Sequence, residues 1–464
     1  MIMLAAARGS SLALTGKTVH VRQYVLDRIE SGEWQVGTAL PGARDVAEAL
    51  GISFVKVQQA LETLALDGVI EIRPRIGAFI RPGWRDCVLR DNLSVFNKRQ
   101  HLPWISGLQE ILAREMPGLR LTDVFPHSQV EINNVLNVQR NHDQYLDLSA
   151  VLEDVRGHCG PLFEQAFAPC RVDGRIVGVP IVASPRFMCF NPEVLKRHGC
   201  RLPAAGWTWD EFMATVRRLR RVMDPCLILD WINQPFYWLN FVLRAGGHLF
   251  DATAADPIAL DRPETRRSLH LFRELAEVLG RPAHDQETFS NAFARGEAAM
   301  AIGTRQFAAA LRQRGWDGWS AAPLPVIAGG CDTTSQAGDL ACVRNTCTDP
   351  EFARRFIALM LSPAVQGYLG DLRYSVPVVK RNAMDSLDLA DPRDVLILAE
   401  LGRMSCEPCM PSADLARLVI DGTTRILDLS DDIDRDAIEL ARAARLHLAV
   451  QRHRSRPLPS SPRT

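Results

Sequence analysis

The chain has 464 residues, 47% hydrophobic and 23% charged, with 54 basic side chains against 54 acidic ones. That length predicts two or three domains of ordinary globular composition, and the zero net charge excludes a molecule that binds nucleic acid over its whole surface. No run of about 18 apolar residues predicts a membrane span, and Met1 to Leu14, broken by Arg8, Gly9, Ser10 and Ser11, lacks the pattern of a secretory signal.

Residues 1–15 are expected to be a flexible N-terminus. A first helix is predicted from Thr18 to Glu30, where Val21, Val25 and Ile29 recur every four residues and Tyr24 widens the stripe. Pro41 is placed in the first turn of a second helix, with Val46, Ala47 and Leu50 inward and Gly51 at its end. Ser53 is a good N-cap for a third helix buried through Val57, Ala60, Leu61 and Leu64. Strands are expected over Val69 to Ile72 and Ala78 to Ile80, with a tight turn from Pro74 to Gly77.

Two helices joined by three residues and followed by a hairpin read as a winged helix-turn-helix that enters a DNA major groove. The outward face of the third helix holds Phe54, Val55, Lys56, Gln58 and Gln59. Gln58 and Gln59 can read adenine edges, and Lys56 can reach a phosphate or a guanine. Arg44 stands where a helix N-terminus and a guanidinium grip one phosphate. Arg73 and Arg75 flank the wing turn and can enter the minor groove, and Ser53 and Gly77 complete the expected contact set. Residues 1–85 carry ten Lys/Arg against eight Asp/Glu, a difference of +2, and no acid falls between Glu71 and Asp86. The positive charge is therefore gathered at the wing.

These residues carry a resemblance. Leu40, Pro41 and Arg44, then Leu50-Gly51-Ile52-Ser53, Ala60-Leu61-Glu62-Thr63-Leu64, Asp67-Gly68-Val69-Ile70 and Gly77-Ala78-Phe79-Ile80 are similar to the DNA-binding domain of the GntR family of bacterial regulators. The resemblance implies a domain over residues 16–82. Phe54 stands where that family usually has arginine, Gln58 where it often has a second one, and the wing tip Arg75-Ile76-Gly77-Ala78-Phe79 departs from the usual G-x-G-T-F.

Beyond the linker Arg81-Pro82-Gly83-Trp84, short apolar runs alternate with helical stripes, which argues α/β. A helix is expected from Leu108 to Met116 and a strand from Leu119 to Val124. A strand pair should follow the turn Asp173-Gly174, and a buried strand should run from Phe187 to Phe190. Thr208 is expected to cap an amphipathic helix from Trp209 to Arg221. After residue 390 helices are predicted, with one stripe at Val395, Leu398 and Leu401, packing on a lobe or on an oligomer partner, and a disordered tail over 451–464. The eleven scattered cysteines fit a reducing compartment, and Cys406-Glu407-Pro408-Cys409 lacks a second ligand pair at zinc-like spacing.

Seven segments of this region, among them Val172-Asp173-Gly174-Arg175-Ile176-Val177-Gly178-Val179-Pro180, Trp207-Thr208-Trp209-Asp210-Glu211-Phe212 and Phe293-Ala294-Arg295-Gly296-Glu297-Ala298-Ala299-Met300, resemble the sugar-binding group of extracellular solute-binding proteins of ABC transporters. The resemblance implies a two-lobed, type II periplasmic-binding-protein-like α/β domain over 83–450, helical from 390, closing over one ligand. The segment between Val124 and Tyr145 is shorter than in that family. Sugar pockets need aromatic faces and planar polar groups, which makes Trp231, Phe236, Tyr237 and Trp238 candidate stacking faces, with Arg186, Arg305 and Tyr374 as further ligand contacts. Ser184, Asn191 and Gly338-Asp339 are weaker candidates.

Taken together, the sequence predicts a cytoplasmic, homodimeric transcriptional regulator with double-stranded operator DNA and a small-molecule effector, a sugar, as partners, and no membrane. A transport receptor handing solute to a permease is the alternative; the absent signal and the winged helix weigh against it. An enzyme holding pyridoxal phosphate on a lysine is a second alternative. Only five lysines are present, none in a cofactor setting, and no phosphate loop precedes them. No cofactor, metal site or catalytic constellation is expected.

Overall fold

The computed structural model describes residues 16–66, 68–74, 76–84, 92–95, 104–117, 119–122, 128–230, 234–280, 286–347, 349–407 and 409–454. Residues 1–15 and most of the tail assigned to 451–464 lie outside them; Gln451 to Arg454 are helical. The described residues divide between two compact units, drawn from 1–98 with 112–129 and from 99–111 with 130–464.

In the first unit, helices α1 (Gly16–Glu30), α2 (Ala43–Leu50) and α3 (Phe54–Leu66) precede the hairpin β1 (Ile70–Arg73) and β2 (Gly77–Ile80). Val21, Val25, Leu26, Val46, Val57, Ala60, Leu64, Val69 and Ile80 form the core, as the four-residue stripes predict. Arg22 ties α1 to α3 by donating to Thr63 Oγ1 at 2.7 Å. The turn between α2 and α3 is set by Gly51, left-handed at φ +61°. Helix α2 starts later than expected. Gly42 is its N-cap and the Asp45 carboxylate accepts the Gly42 N–H at 3.1 Å, so Pro41 precedes the cap. The hairpin is antiparallel, from Ile70 opposite Ile80 to Arg73 opposite Gly77. Strands β3 (Asn92–Val95) and β4 (Arg120–Thr122) of this unit pair in parallel, and Ile105–Glu115 forms α4, whose residues are divided between the two units.

The second unit is built as two lobes, each with its own buried core. In the first lobe, β5 (Val130–Asn134) leads into α5 (Val135–Arg140) and α6 (Ser149–Cys159). The short strands β6 (Arg171–Val172), β7 (Arg175–Ile176), β8 (Val179–Pro180) and β9 (Val182–Ala183) follow. The β6–β7 hairpin turns at Asp173 and Gly174, the turn expected from the sequence, but the strand pair expected after that turn does not form: β8 and β9 each pair with later strands. In the second lobe, β10 (Phe187–Phe190), fully buried, lies between β11 (Met300–Gly303) and β12 (Ser320–Ala322). Helices α7 (Pro192–Arg197), α8 (Trp209–Arg220), α9 (Pro235–Arg244), α10 (Pro263–Leu279), α11 (Gln286–Ala294) and α12 (Arg305–Gln313) belong to this part of the chain. Thr208 and Glu211 close a capping box at the start of α8.

The chain then returns through β13 (Thr334–Ser335) to β14 (Asp339–Val343), which is antiparallel to β5 and to β8 in the first lobe. After α13 (Pro350–Met360) and α14 (Pro363–Asp371), β15 (Val376–Pro377) pairs with β9. Helices α15 (Lys380–Ser386) and α16 (Pro392–Leu401), strand β16 (Met404–Ser405) and the long pair α17 (Ala413–Leu429) and α18 (Ile433–Arg454) complete the chain. The last two helices pack into the second-lobe core through Leu415, Val419, Ile420, Ile426, Ala437, Ala441 and Leu448. On α16 the inward stripe matches the expected one at Leu401 and, partly buried, at Leu398, but not at Val395. Val395 is 46% exposed, while Asp394, Ile397, Glu400 and Leu401 are buried. Arginines pair with the two buried acids: Arg305 and Arg373, from other elements, with Asp394, and Arg403, just past the end of the same helix, with Glu400.

The described cysteines are free thiols, and no group of three metal-ligating side chains occurs among the described residues. No helix among them is long and apolar enough to cross a membrane.

Candidate functional site

Two surfaces carry the chemistry. On the first unit, α3 buries Val57, Ala60, Leu61 and Leu64, which turns Val55, Gln58 and Glu62 outward. Arg44 is exposed in the first turn of α2, and Ser53 is exposed where α3 begins, its carbonyl accepting the N–H groups of Lys56 and Val57. Phe54 is 44% exposed. The polar side chains engage one another: Lys56 donates to Gln59 Oε1 at 3.1 Å and Gln58 to Glu62 Oε1 at 3.3 Å. At the wing, Arg73 bonds Glu71 at 2.9 Å and stacks over Phe79 at 4.5 Å. That bond holds the Glu71 carboxyl below its usual range. Gly77 opens the return strand at φ +132°, and Arg75 lies outside the described residues.

The second surface borders the segments that cross between the lobes. The chain leaves β9 through Ser184-Pro185-Arg186 into β10, and it returns antiparallel through Ser335-Gln336-Ala337. Arg186 N donates to Ser335 O at 3.1 Å, and Ala337 N to Ser184 O at 2.7 Å. Helix α9 is fastened to this return by Asn240, whose carbonyl oxygen accepts Ser335 Oγ at 2.7 Å. Lower down, the fully buried Arg244 donates to Pro325 O, Thr333 O and Asp332. These bonds fix where the start of α9 presents Phe236 and Tyr237.

There Arg186 lies over Phe236 at 5.1 Å and Tyr237 at 5.7 Å, and the Tyr237 hydroxyl donates to Asp230 at 2.5 Å. Burial pushes the Asp230 carboxyl up to about 6, against the opposing pull of Tyr237 and Arg186. Burial also lowers the Arg186 guanidinium from its ordinary value. Among the described residues, four buried polar atoms of this neighbourhood have no hydrogen-bond partner: Arg186 Nε, Asp230 Oδ1, Ser184 Oγ and Gln336 Oε1. An unsatisfied buried group costs about 1–3 kcal/mol, and such groups gather where a ligand completes the set.

A second cluster borders the same crossings. Asp339, at the head of β14, accepts from Tyr374 at 3.3 Å and from Gln306 at 3.2 Å, and Trp104 lies 5.9 Å from the Tyr374 ring. Burial raises the Asp339 carboxyl to about 6. Gln306 belongs to the second lobe and Asp339 to the first, so this contact spans the two.

The expected ligand contacts therefore separate. Arg186, Phe236 and Tyr237 come together, and Tyr374 joins the second cluster. Trp238 does not face the crossings: it is 0% exposed within the second-lobe core, because consecutive residues of a helix point about 100° apart. Arg305 is a structural residue rather than a surface or ligand-facing one, bonded to Ser375 O, Ser386 and Asp394 and pushed down to about 10 by burial. Asn191 caps α7. Trp231 lies outside the described residues. Asp230, Gln306 and Gln336 were invisible to sequence reasoning, since nothing local distinguishes them.

Comparison with known proteins follows the same division. The family of bacterial extracellular solute-binding proteins matches residues 127–386, and the gntR family of bacterial regulatory proteins matches residues 17–80. An uncharacterized HTH-type transcriptional regulator of Escherichia coli, YieP, is 37% identical over 79 residues, 17% of this chain and 31% of that protein. An uncharacterized lipoprotein in the oleD 5'region of Streptomyces antibioticus is 26% identical over 219 residues, 42% of this chain and 46% of that protein. The chain spans less than half the length of these curated relatives. Among solved structures, the GacH receptor of Streptomyces glaucescens, solved unliganded and with acarbose, superposes with a TM-score of 0.61 at 16% identity. The match covers 77% of this chain and 99% of GacH and establishes the two-lobed fold.

Proposed function

This chain belongs to the family of bacterial extracellular solute-binding proteins and carries a domain of the gntR family, and from that premise we propose that it is a DNA-binding transcriptional regulator whose solute-binding fold senses a small molecule and couples it to operator affinity. The observation that carries the reading is the set of polar atoms around Arg186 and Asp230 at the lobe crossing that are unpartnered among the described residues, in a chain whose residues 17–80 match the winged helix-turn-helix family. The functional division is a DNA-contacting domain over 16–82 and a sensing domain over 83–450. The gntR-family domain weighs against a transport receptor.

The effector class is a carbohydrate. A guanidinium, a carboxylate and a hydroxyl beside the face of Phe236 match vicinal hydroxyls and a C–H-rich ring face. That GacH was solved with acarbose accords with this class. The protein works in the cytoplasm, where DNA is, and as a homodimer, because a two-fold protein matches a palindromic operator.

A thermal-shift screen over mono- and oligosaccharides tests the sensor. A true effector at a hundred times its Kd adds about 2.7 kcal/mol to the stability of the folded protein, and Asp230→Asn or Arg186→Ala should abolish the shift. Equal shifts in the wild type and both variants would place the ligand elsewhere. Failure to retain any duplex from a randomised pool at low ionic strength would end the regulator reading.

A further inference from the structure

We propose that the tip of α3 reads thymine: the methyl groups of Val55, flanked by Phe54, meet the C5-methyl group of a thymine in the operator's major groove. The inference rests on the DNA-binding reading and adds a base to it.

Val55 lies opposite the buried stripe of α3 and is 61% exposed. Folding gives no reason for an apolar residue there, since a polar one would be tolerated on the surface. The position is the first turn of the second helix of a helix-turn-helix, the part that reaches base edges. Among the major-groove edges of the four bases, only thymine presents an apolar group. Of the nearby polar side chains, Gln58 is engaged with Glu62 and Lys56 with Gln59, which leaves Ser53, Phe54 and Val55 exposed at the free end of the helix, two of the three apolar. Exposed Arg44 and Arg81 supply positive charge on the same unit, which suits a polyanion better than an apolar protein face.

The test uses the full-length protein and the duplex it selects from a randomised pool. Each thymine is replaced in turn by deoxyuridine, which removes only the methyl group. One methyl buried on binding is worth about 0.8 kcal/mol, about a fourfold change in affinity. At one or two positions uridine should weaken binding by about that factor, and Val55→Ala should erase the difference there. A selected duplex indifferent to uridine at every position overturns this inference and leaves the DNA-binding reading standing. So does a Val55→Ala protein that stays as sensitive as the wild type, or one whose oligomeric state in sedimentation changes instead. A pool that yields no bound sequence overturns the DNA-binding reading, and this inference with it.

Discussion

Asp339 illustrates how much a single carboxyl decides at the lobe crossing. Burial lifts it from 3.8 to about 6 although Tyr374 and Gln306 donate to it. A carboxyl with a raised folded pKa binds its proton more tightly in the native state, so its contribution to stability is greatest at acid pH. It falls as pH rises from about 4 to about 6 and is flat above that. At one unit per about 1.4 kcal/mol, the cost of keeping this group ionised is on the order of 3 kcal/mol. Asp339→Asn should therefore raise the melting temperature at pH 7.5 and leave it nearly unchanged at pH 4, as a pair of calorimetric scans would show. A variant less stable than the wild type at both pH values would mean that the two hydrogen bonds outweigh the burial of charge.

At the scale of elements, the turn between α2 and α3 is the joint on which the DNA-contact surface depends. Gly51 ends α2 in the left-handed region at φ +61°, its N–H bonding back to Ala47 and Glu48, with open space where a Cβ would stand. Gly51→Ala should thus cost about 1–2 kcal/mol through backbone strain alone, read from urea unfolding, and weaken DNA binding by displacing α3. No change in either would show that the turn adapts. This joint was legible in the sequence because glycine, capping and periodicity act within a few residues. The same holds for the Thr208 cap and for the inward stripe of α3. Longer-range features were hidden. Helix α9 is apolar nearly all round, so periodicity could not show that Tyr237 meets Asp230 while Trp238 enters the core. Arg305 became structural through Ser375, Ser386 and Asp394, partners 70 to 89 residues away. Asp394 and Glu400 lie on a buried face that reads as polar in sequence, because their neutralising arginines come from other elements or the helix end.

At the scale of the whole molecule, the question is whether the two functions share energy. A ligand shifts an equilibrium only by its differential affinity for the two states. If the Arg186–Asp230 cluster is completed by a carbohydrate in one lobe arrangement and not in the other, that difference is available to the DNA-contacting domain. A coupling of about 1–3 kcal/mol corresponds to a change in operator affinity of about 5- to 150-fold. Linkage makes the effect reciprocal: saturating operator must change the affinity for the carbohydrate by the same factor and in the same sense. Titrating labelled operator with and without effector, and effector with and without operator, yields two factors that should agree. Asp230→Asn should flatten both together, since it removes the differential contact and leaves the helix-turn-helix intact. Two unchanged affinities, with the carbohydrate bound in both titrations, would show two independent modules on one chain. Unequal factors would point to a third equilibrium, such as dimer formation, and repeating the titrations at several protein concentrations would expose it.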